Sequence, residues 1–224
     1  MSEQLSFELP KKTALGREDF FVSPANSKAV ALIEDWSNWP NRKLALVAPN
    51  GAGKSHLVHV WSQLSGAQVI QACDLATADV PLLAKTPVAV EDCEDAIGNA
   101  EAETALFHLH NLVLAEGQSL LFTALRAPKL WKTKLPDLAS RVEATPVATI
   151  DEPDDALLAA VMSKQFLDRQ LSPPPALINY LISHIERSFQ AAEDVVSALD
   201  KAALQTGRKL SVKLAGQMLD KTSS

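Results

Sequence analysis

The chain has 224 residues, 47% of them hydrophobic, enough to bury an α/β core with a small second domain beside it. Its 27 acidic against 21 basic side chains give a net charge of −6, which excludes a global positive field and sets strong direct DNA binding aside. No apolar run nears the roughly 18 residues of a membrane span, the N-terminus lacks a signal-peptide layout, and the spacing of Cys73 and Cys93 is neither paired nor metal-type. A cytoplasmic protein with no membrane association is therefore expected.

Residues 1–12, interrupted by Pro10, Lys11 and Lys12, read as a flexible tail. Over 26–39, Val30, Leu32, Ile33 and Trp36 recur at helical spacing, behind Ser23 and Pro24 as a helix opening. The short apolar run 44–48 suits a strand buried on both faces of a parallel sheet, and similar runs follow at 68–72, 87–91, 119–124 and 146–150, separated by helix-length segments. This alternation predicts an α/β fold: a five-stranded parallel sheet with helices on both faces, and ligands beyond the carboxyl ends of its strands. After Ile150 the strands stop. Segments 154–170, 174–186, 188–206 and 211–220 read as helices, punctuated by Pro173, Pro174, Pro175 and Gly207. The organisation expected is a tail over 1–12, a nucleotide-binding base domain over 13–150 and a small all-α lid over 151–224, with no internal repeat.

The strongest local signal is APNGAGKS over 48–55, directly after a predicted strand and opening a helix. Gly51 and Gly53 let the backbone amides of Asn50, Gly51, Ala52 and Gly53 turn onto phosphate oxygens; Lys54 adds a point charge and Ser55 a magnesium ligand. Ala48 stands where the first glycine of such a loop is usual. The strand 87–91 ends in Glu91 and Asp92, acids placed to handle Mg2+ and an attacking water; the usual order is Asp then Glu, so side-chain reach is inverted and intrinsic hydrolysis is expected to be weak. His56, after the loop serine, reads as capping or packing locally. His108 and His110 lack companion ligands and read as structural, Cys73 and Cys93 as small buried hydrophobes, and the four tryptophans as scattered packing residues rather than a base-stacking platform.

These motifs, with Phe21, Val22 and Asn26 before the first strand, GAGKSHL over 51–57, LLFT over 120–123, RAP over 126–128 and LPDLASR over 135–141, resemble the AAA+ family of the bacterial replication initiator DnaA, and within it the short regulatory inactivators of DnaA. The resemblance covers nearly the whole chain. It implies ADP or ATP with Mg2+ as cofactor, held by Phe21, Val22, Asn50, Gly51, Ala52, Gly53, Lys54, Ser55, His56 and Arg187, with Ser55 and Glu91 on the metal. It implies that Arg141 is a catalytic arginine finger reaching a nucleotide on a neighbouring molecule, and that Asp92 sits beside the hydrolytic water. An acidic sensor is expected after the fourth strand, but Ala124 and Leu125 stand there, so ADP and ATP should bind alike. The second sensor is Arg187 or, in a gapless register, Gln190. Gln4, Leu5, Ser6 and Phe7 resemble a peptide that binds the replicase sliding clamp, with the two apolar side chains entering a groove. DnaA, the clamp and further copies of the chain are the implied partners, and negative regulation of replication initiation the implied role. The alternative is a self-sufficient AAA+ ATPase such as a helicase loader or a DnaA-like replication factor.

Overall fold

The computed structural model describes residues 21–207 and 209–222. Five strands, β1 (Lys43–Val47), β2 (Gln68–Gln71), β3 (Val88–Glu91), β4 (Leu120–Ala124) and β5 (Val147–Thr149), form one sheet in the order β2-β3-β4-β1-β5, with every pairing parallel. β4 is buried throughout, as is β3, whereas the edge strands β2 and β5 are largely exposed. Those burial patterns are why the central strands read as continuous apolar runs and the edges as weaker ones. The register sets Val47 level with Ala124 and Thr149, and Gln71 with Glu91, so the strands end along a common carboxyl edge.

Helices cover both faces. One cluster joins Val88, Val90, Leu120 and Phe122 to Leu106, Leu109 and Val113 of α4 (Ala100–Ala115) and to Leu138 and Val142 of α5 (Pro136–Glu143). The other joins Leu44, Leu46, Ala89 and Leu121 to Ile33 of α1 (Ser27–Glu34) and to Leu57 and Trp61 of α2 (Lys54–Ser65). Leu120 and Phe122 face one layer and Leu121 the other, as the two-residue strand period demands. Beyond β5, helices α6 (Asp155–Asp168), α7 (Pro175–Ile182), α8 (Phe189–Thr206) and α9 (Val212–Thr222) pack around a separate cluster that includes Leu158, Phe166, Leu181, Val196 and Leu199.

Local chemistry marks the boundaries. The Asn99 side chain accepts the amides of Glu101 and Ala102 at the start of α4, Asp154 accepts Leu157 N at 2.7 Å for α6, and Ser188 accepts Ala191 N at 3.0 Å for α8, which ends on left-handed Gly207. The first helix stops at Glu34 rather than running to Trp39: Pro40 pushes Trp39 into an extended conformation, and the Trp39 indole donates to the carbonyl of Leu32 at 2.6 Å. Only short 3-10 turns follow. Between β2 and β3 a 3-10 segment (Ala72–Thr77) precedes the one-turn helix α3 (Val80–Leu83), which Asp79 caps, in place of a single helix.

Two other expectations are corrected. The tryptophans are not all scattered: Trp39 stacks on Trp61 with centroids 5.3 Å apart and Trp36 meets Trp61 edge-on at 6.5 Å, although Trp39 and Trp61 are buried and so form packing rather than a platform. Cys93 is buried, but Cys73 is exposed on the turn after the edge strand β2. Among the described residues no helix is long and apolar enough to cross a membrane.

Candidate functional site

The loop 48–53 leaves β1 at the carboxyl edge and turns into α2 through two residues of left-handed backbone, Gly51 at φ 69° and Gly53 at φ 95°. Lys54, the first residue of α2, is buried, and its Nζ donates to the carbonyls of Ala48 at 2.9 Å and Pro49 at 3.1 Å. An ammonium has three donors, so this arrangement anchors the loop while leaving one donor for a phosphate. Burial lowers the Lys54 pKa, and the carboxylates of Asp92, Glu91 and Glu94 pull it back up. Ser55 is exposed at the mouth of the loop.

The neighbouring strand ends supply the acidic side. Glu91 is buried and accepts from the Gln71 amide at 3.1 Å. Asp92 is exposed, adopts a left-handed φ of 51°, and is fixed by its own N–H donating to Thr123 Oγ1 at 3.0 Å. Among the described residues no group of three or more His, Cys, Asp or Glu converges as a metal site. The oxygen donors present nevertheless fit a phosphate-borne Mg2+: the Ser55 hydroxyl and the Glu91 carboxylate would hold it, with the remaining oxygens coming from phosphate and water.

The sequence gives no sign of Glu94's role. Its carboxylate accepts the backbone amides of Leu125 at 2.7 Å and Arg126 at 3.3 Å and pairs with the Arg126 guanidinium at 2.7 Å. The loop after β4, where an acidic sensor was expected, is thus held by an acid from the turn after β3. The 31-residue separation hides this from any local pattern.

Two further segments close on the loop. Asn26, almost fully buried, accepts Ser23 N at 2.8 Å and donates to the carbonyl of Phe21 at 2.8 Å, fixing the strip that carries Phe21 and Val22. That strip reaches the sheet through Asp151 N donating to Ala25 O, next to Ile150 N donating to Val47 O. From the helical side, Phe189 N donates to the carbonyl of Gly51 at 2.8 Å. A cleft of about 320 Å³ lies between Pro49, Asn50, Ala52 and the segment Glu186, Arg187 and Ser188, with Glu152 on its wall. Arg187 precedes α8 rather than standing within it, and pairs with Asp155 at 2.8 Å; Gln190 is in the first turn. A larger apolar groove of about 600 Å³ near α3 and α4 contains none of the predicted nucleotide-binding residues.

A Cβ on Gly51 would lie 3.0 Å from the Gln190 Cβ and 3.1 Å from the Ser188 Cβ. Gly51→Ala is therefore expected to destabilise the fold by about 1–3 kcal/mol, through left-handed strain plus the displaced helix. Thermal unfolding of the purified variant measures this; an unchanged midpoint contradicts it.

Arg141 is not part of this assembly. It sits exposed in the last turn of α5, and its carbonyl accepts Lys43 Nζ at 2.7 Å, at the amino end of β1. Four residue steps of β1, about 13 Å of strand, separate that end from the phosphate loop. Lys43 is buried and also meets His110 Nε2 at 3.1 Å, while His110 Nδ1 faces Asn111 Oδ1 at 3.3 Å. The Asn oxygen only accepts, so Nδ1 carries the proton and Nε2 accepts from Lys43. Burial, and then the Arg141 charge, lowers the Lys43 pKa. Burial and then the Lys43 charge lower His110 from 6.5 to about 4, against the opposing Asn111 hydrogen bond. Between those values the unfolded chain holds a proton that the folded one refuses, so stability falls as pH drops from 6.5 to 4, by up to about 3 kcal/mol. Denaturant titrations across that window should show the loss, and His110→Asn should flatten it.

Residues 4–7 lie outside the described residues. His108 is exposed and His110 buried.

No protein-family model matches the chain. An uncharacterized protein of Haemophilus influenzae is 28% identical over 184 residues, which is 76% of this chain and 78% of that one. Domain III of the Thermotoga maritima replication initiation protein DnaA superposes with a TM-score of 0.78 at 19% identity, over 95% of this chain and 98% of that one. AMPPCP-bound DnaA from Aquifex aeolicus gives a TM-score of 0.70 at 20% identity, over 89% of this chain and 68% of that one. The parallel five-stranded sheet with helices on both faces is thus the fold of DnaA domain III.

Proposed function

We propose that the chain is a regulatory AAA+ protein of the kind typified by Hda, the regulatory inactivator of DnaA. It holds ADP or ATP with Mg2+ and, together with the DNA-loaded sliding clamp, stimulates ATP hydrolysis by DnaA, so that replication does not re-initiate. The observation that carries this reading is the position of Arg141, exposed at the sheet edge opposite the chain's own phosphate loop. A guanidinium there lies away from the chain's own phosphate loop, which supports a role on a nucleotide of another molecule.

The nucleotide's part is structural. Asn50, Gly51, Ala52 and Gly53 would turn amides onto its phosphates, Lys54 would contact them, and Ser55 with Glu91 would hold Mg2+. Because Phe189 is tied to Gly51, occupancy of the loop sets the pose of the lid helices. Gln71 restrains Glu91, and Glu94 holds the amides after β4; both support weak hydrolysis by the chain itself. Gln4, Leu5, Ser6 and Phe7 would tether the protein to the clamp, and heterologous contacts between finger and nucleotide faces would also allow self-association. Mixing the protein with DnaA, ATP and DNA-loaded clamp should accelerate phosphate release; release at the rate of DnaA and clamp alone would overturn the proposal.

A further inference from the structure

Helix α5 is short, eight residues, and begins at Pro136 with no side-chain cap of its own. Its N-terminal approach is nevertheless secured from outside. Glu103 of α4, 1% exposed, accepts the amides of Lys134 at 2.9 Å and Leu135 at 3.0 Å, and also that of Gly98 at 2.7 Å. At the other end Lys43, 4% exposed, donates to the carbonyl of Arg141, and His110 of α4 holds that ammonium in place. Glu103 and His110 are seven residues apart on α4, two turns on one face, so one helix face reaches both ends of its neighbour. The signs are complementary: a carboxylate at the end of α5 where amides lack partners, a cation at the end where carbonyls lack them.

We propose that Glu103 and Lys43, the latter braced by His110, are positioning residues that clamp α5 at both ends and thereby fix the direction in which Arg141 projects. This rests on the reading of Arg141 as a finger acting on a partner's nucleotide. A guanidinium that must meet a phosphate across an interface gains nothing from a mobile helix, and displacement by about 1 Å can cost as much as a hundredfold in rate. Two buried charges, Glu103 on the backbone that leads into the finger helix and Lys43 on a carbonyl of its last turn, supply the rigidity that an eight-residue helix with no cap of its own lacks.

The test compares Lys43→Met, Glu103→Gln, His110→Asn and Arg141→Ala in full-length protein. Maximal stimulation of hydrolysis by DnaA in the presence of clamp is measured, together with the concentration of regulator giving half of it, nucleotide affinity and amide hydrogen exchange. Expected are roughly tenfold to hundredfold falls in maximal stimulation for Lys43→Met and Glu103→Gln, with half-saturation and nucleotide affinity unchanged and faster exchange confined to α5 and the segment before it. Full stimulation by both variants while Arg141→Ala is inactive would overturn the clamp and leave the finger standing. If Arg141→Ala is as active as the parent, the finger reading fails, and exchange decides the clamp alone: continued protection of α5 in both variants refutes it. Should Lys43→Met fail to fold, Glu103→Gln and His110→Asn carry the same comparison.

Discussion

Arg141→Ala is expected to reduce the stimulation of DnaA-bound ATP hydrolysis about 10³-fold or more, to the rate of DnaA with clamp alone. The loss is large because a guanidinium beside the γ-phosphate neutralises charge that grows only as the transition state forms, which water in the same place cannot do. Fold and nucleotide affinity should stay as in the parent. The Arg141 side chain is exposed, and the bond to Lys43 uses its carbonyl, which alanine retains; surface changes of this kind usually stay within about 0.5 kcal/mol. Arg141→Lys should recover little, since an ammonium lacks the planar fork that spans two phosphate oxygens. Single-turnover hydrolysis of radiolabelled ATP preloaded on DnaA measures all three proteins, and undiminished acceleration by the alanine variant would remove the basis of the proposed function.

Lys54→Ala has the second largest expected effect: a loss of nucleotide affinity of about 3 kcal/mol, roughly 150-fold in Kd. Two causes act together. The ammonium is the basic group among Glu91, Asp92 and Glu94 at the loop, so its removal leaves carboxylates facing phosphates. It also anchors the carbonyls of Ala48 and Pro49, so the loop loses its own support. Calorimetry with ADP and with ATP reads the effect directly, and affinity equal to the parent's would contradict it. The same variant separates the regulator from a self-sufficient motor, for which the parent would show robust steady-state turnover without DnaA and the variant none.

What could be read beforehand follows from where the information lies in the chain. The central strands announced themselves because both faces of β3 and β4 are buried, leaving no polar residue to interrupt the run. The phosphate loop was equally plain, because strand, glycine turn, lysine and helix are contiguous in sequence. The first helix is shorter than its apolar spacing, which continues to Trp36, because Pro40 and the indole of Trp39 end it early. Lys43 is charged and precedes the apolar run 44–48, yet it begins the strand and is buried because partners 67 and 98 residues away satisfy it. Glu94 and Glu103 were similarly silent, since their amide partners come from segments about 30 residues on. Contacts of that kind belong to the topology, and periodicity carries no trace of them.

The tryptophan arrangement gives the molecule an optical property. Trp61 belongs to the helix whose first residue is Lys54, and it stacks on Trp39 in a dry layer behind the sheet, with Trp36 at its edge. A tilt of that helix would alter the stack, so a change in the unlabelled protein's emission on adding ADP or ATP is the expected sign that the phosphate loop has filled, readable in a solution where DnaA and the clamp are absent.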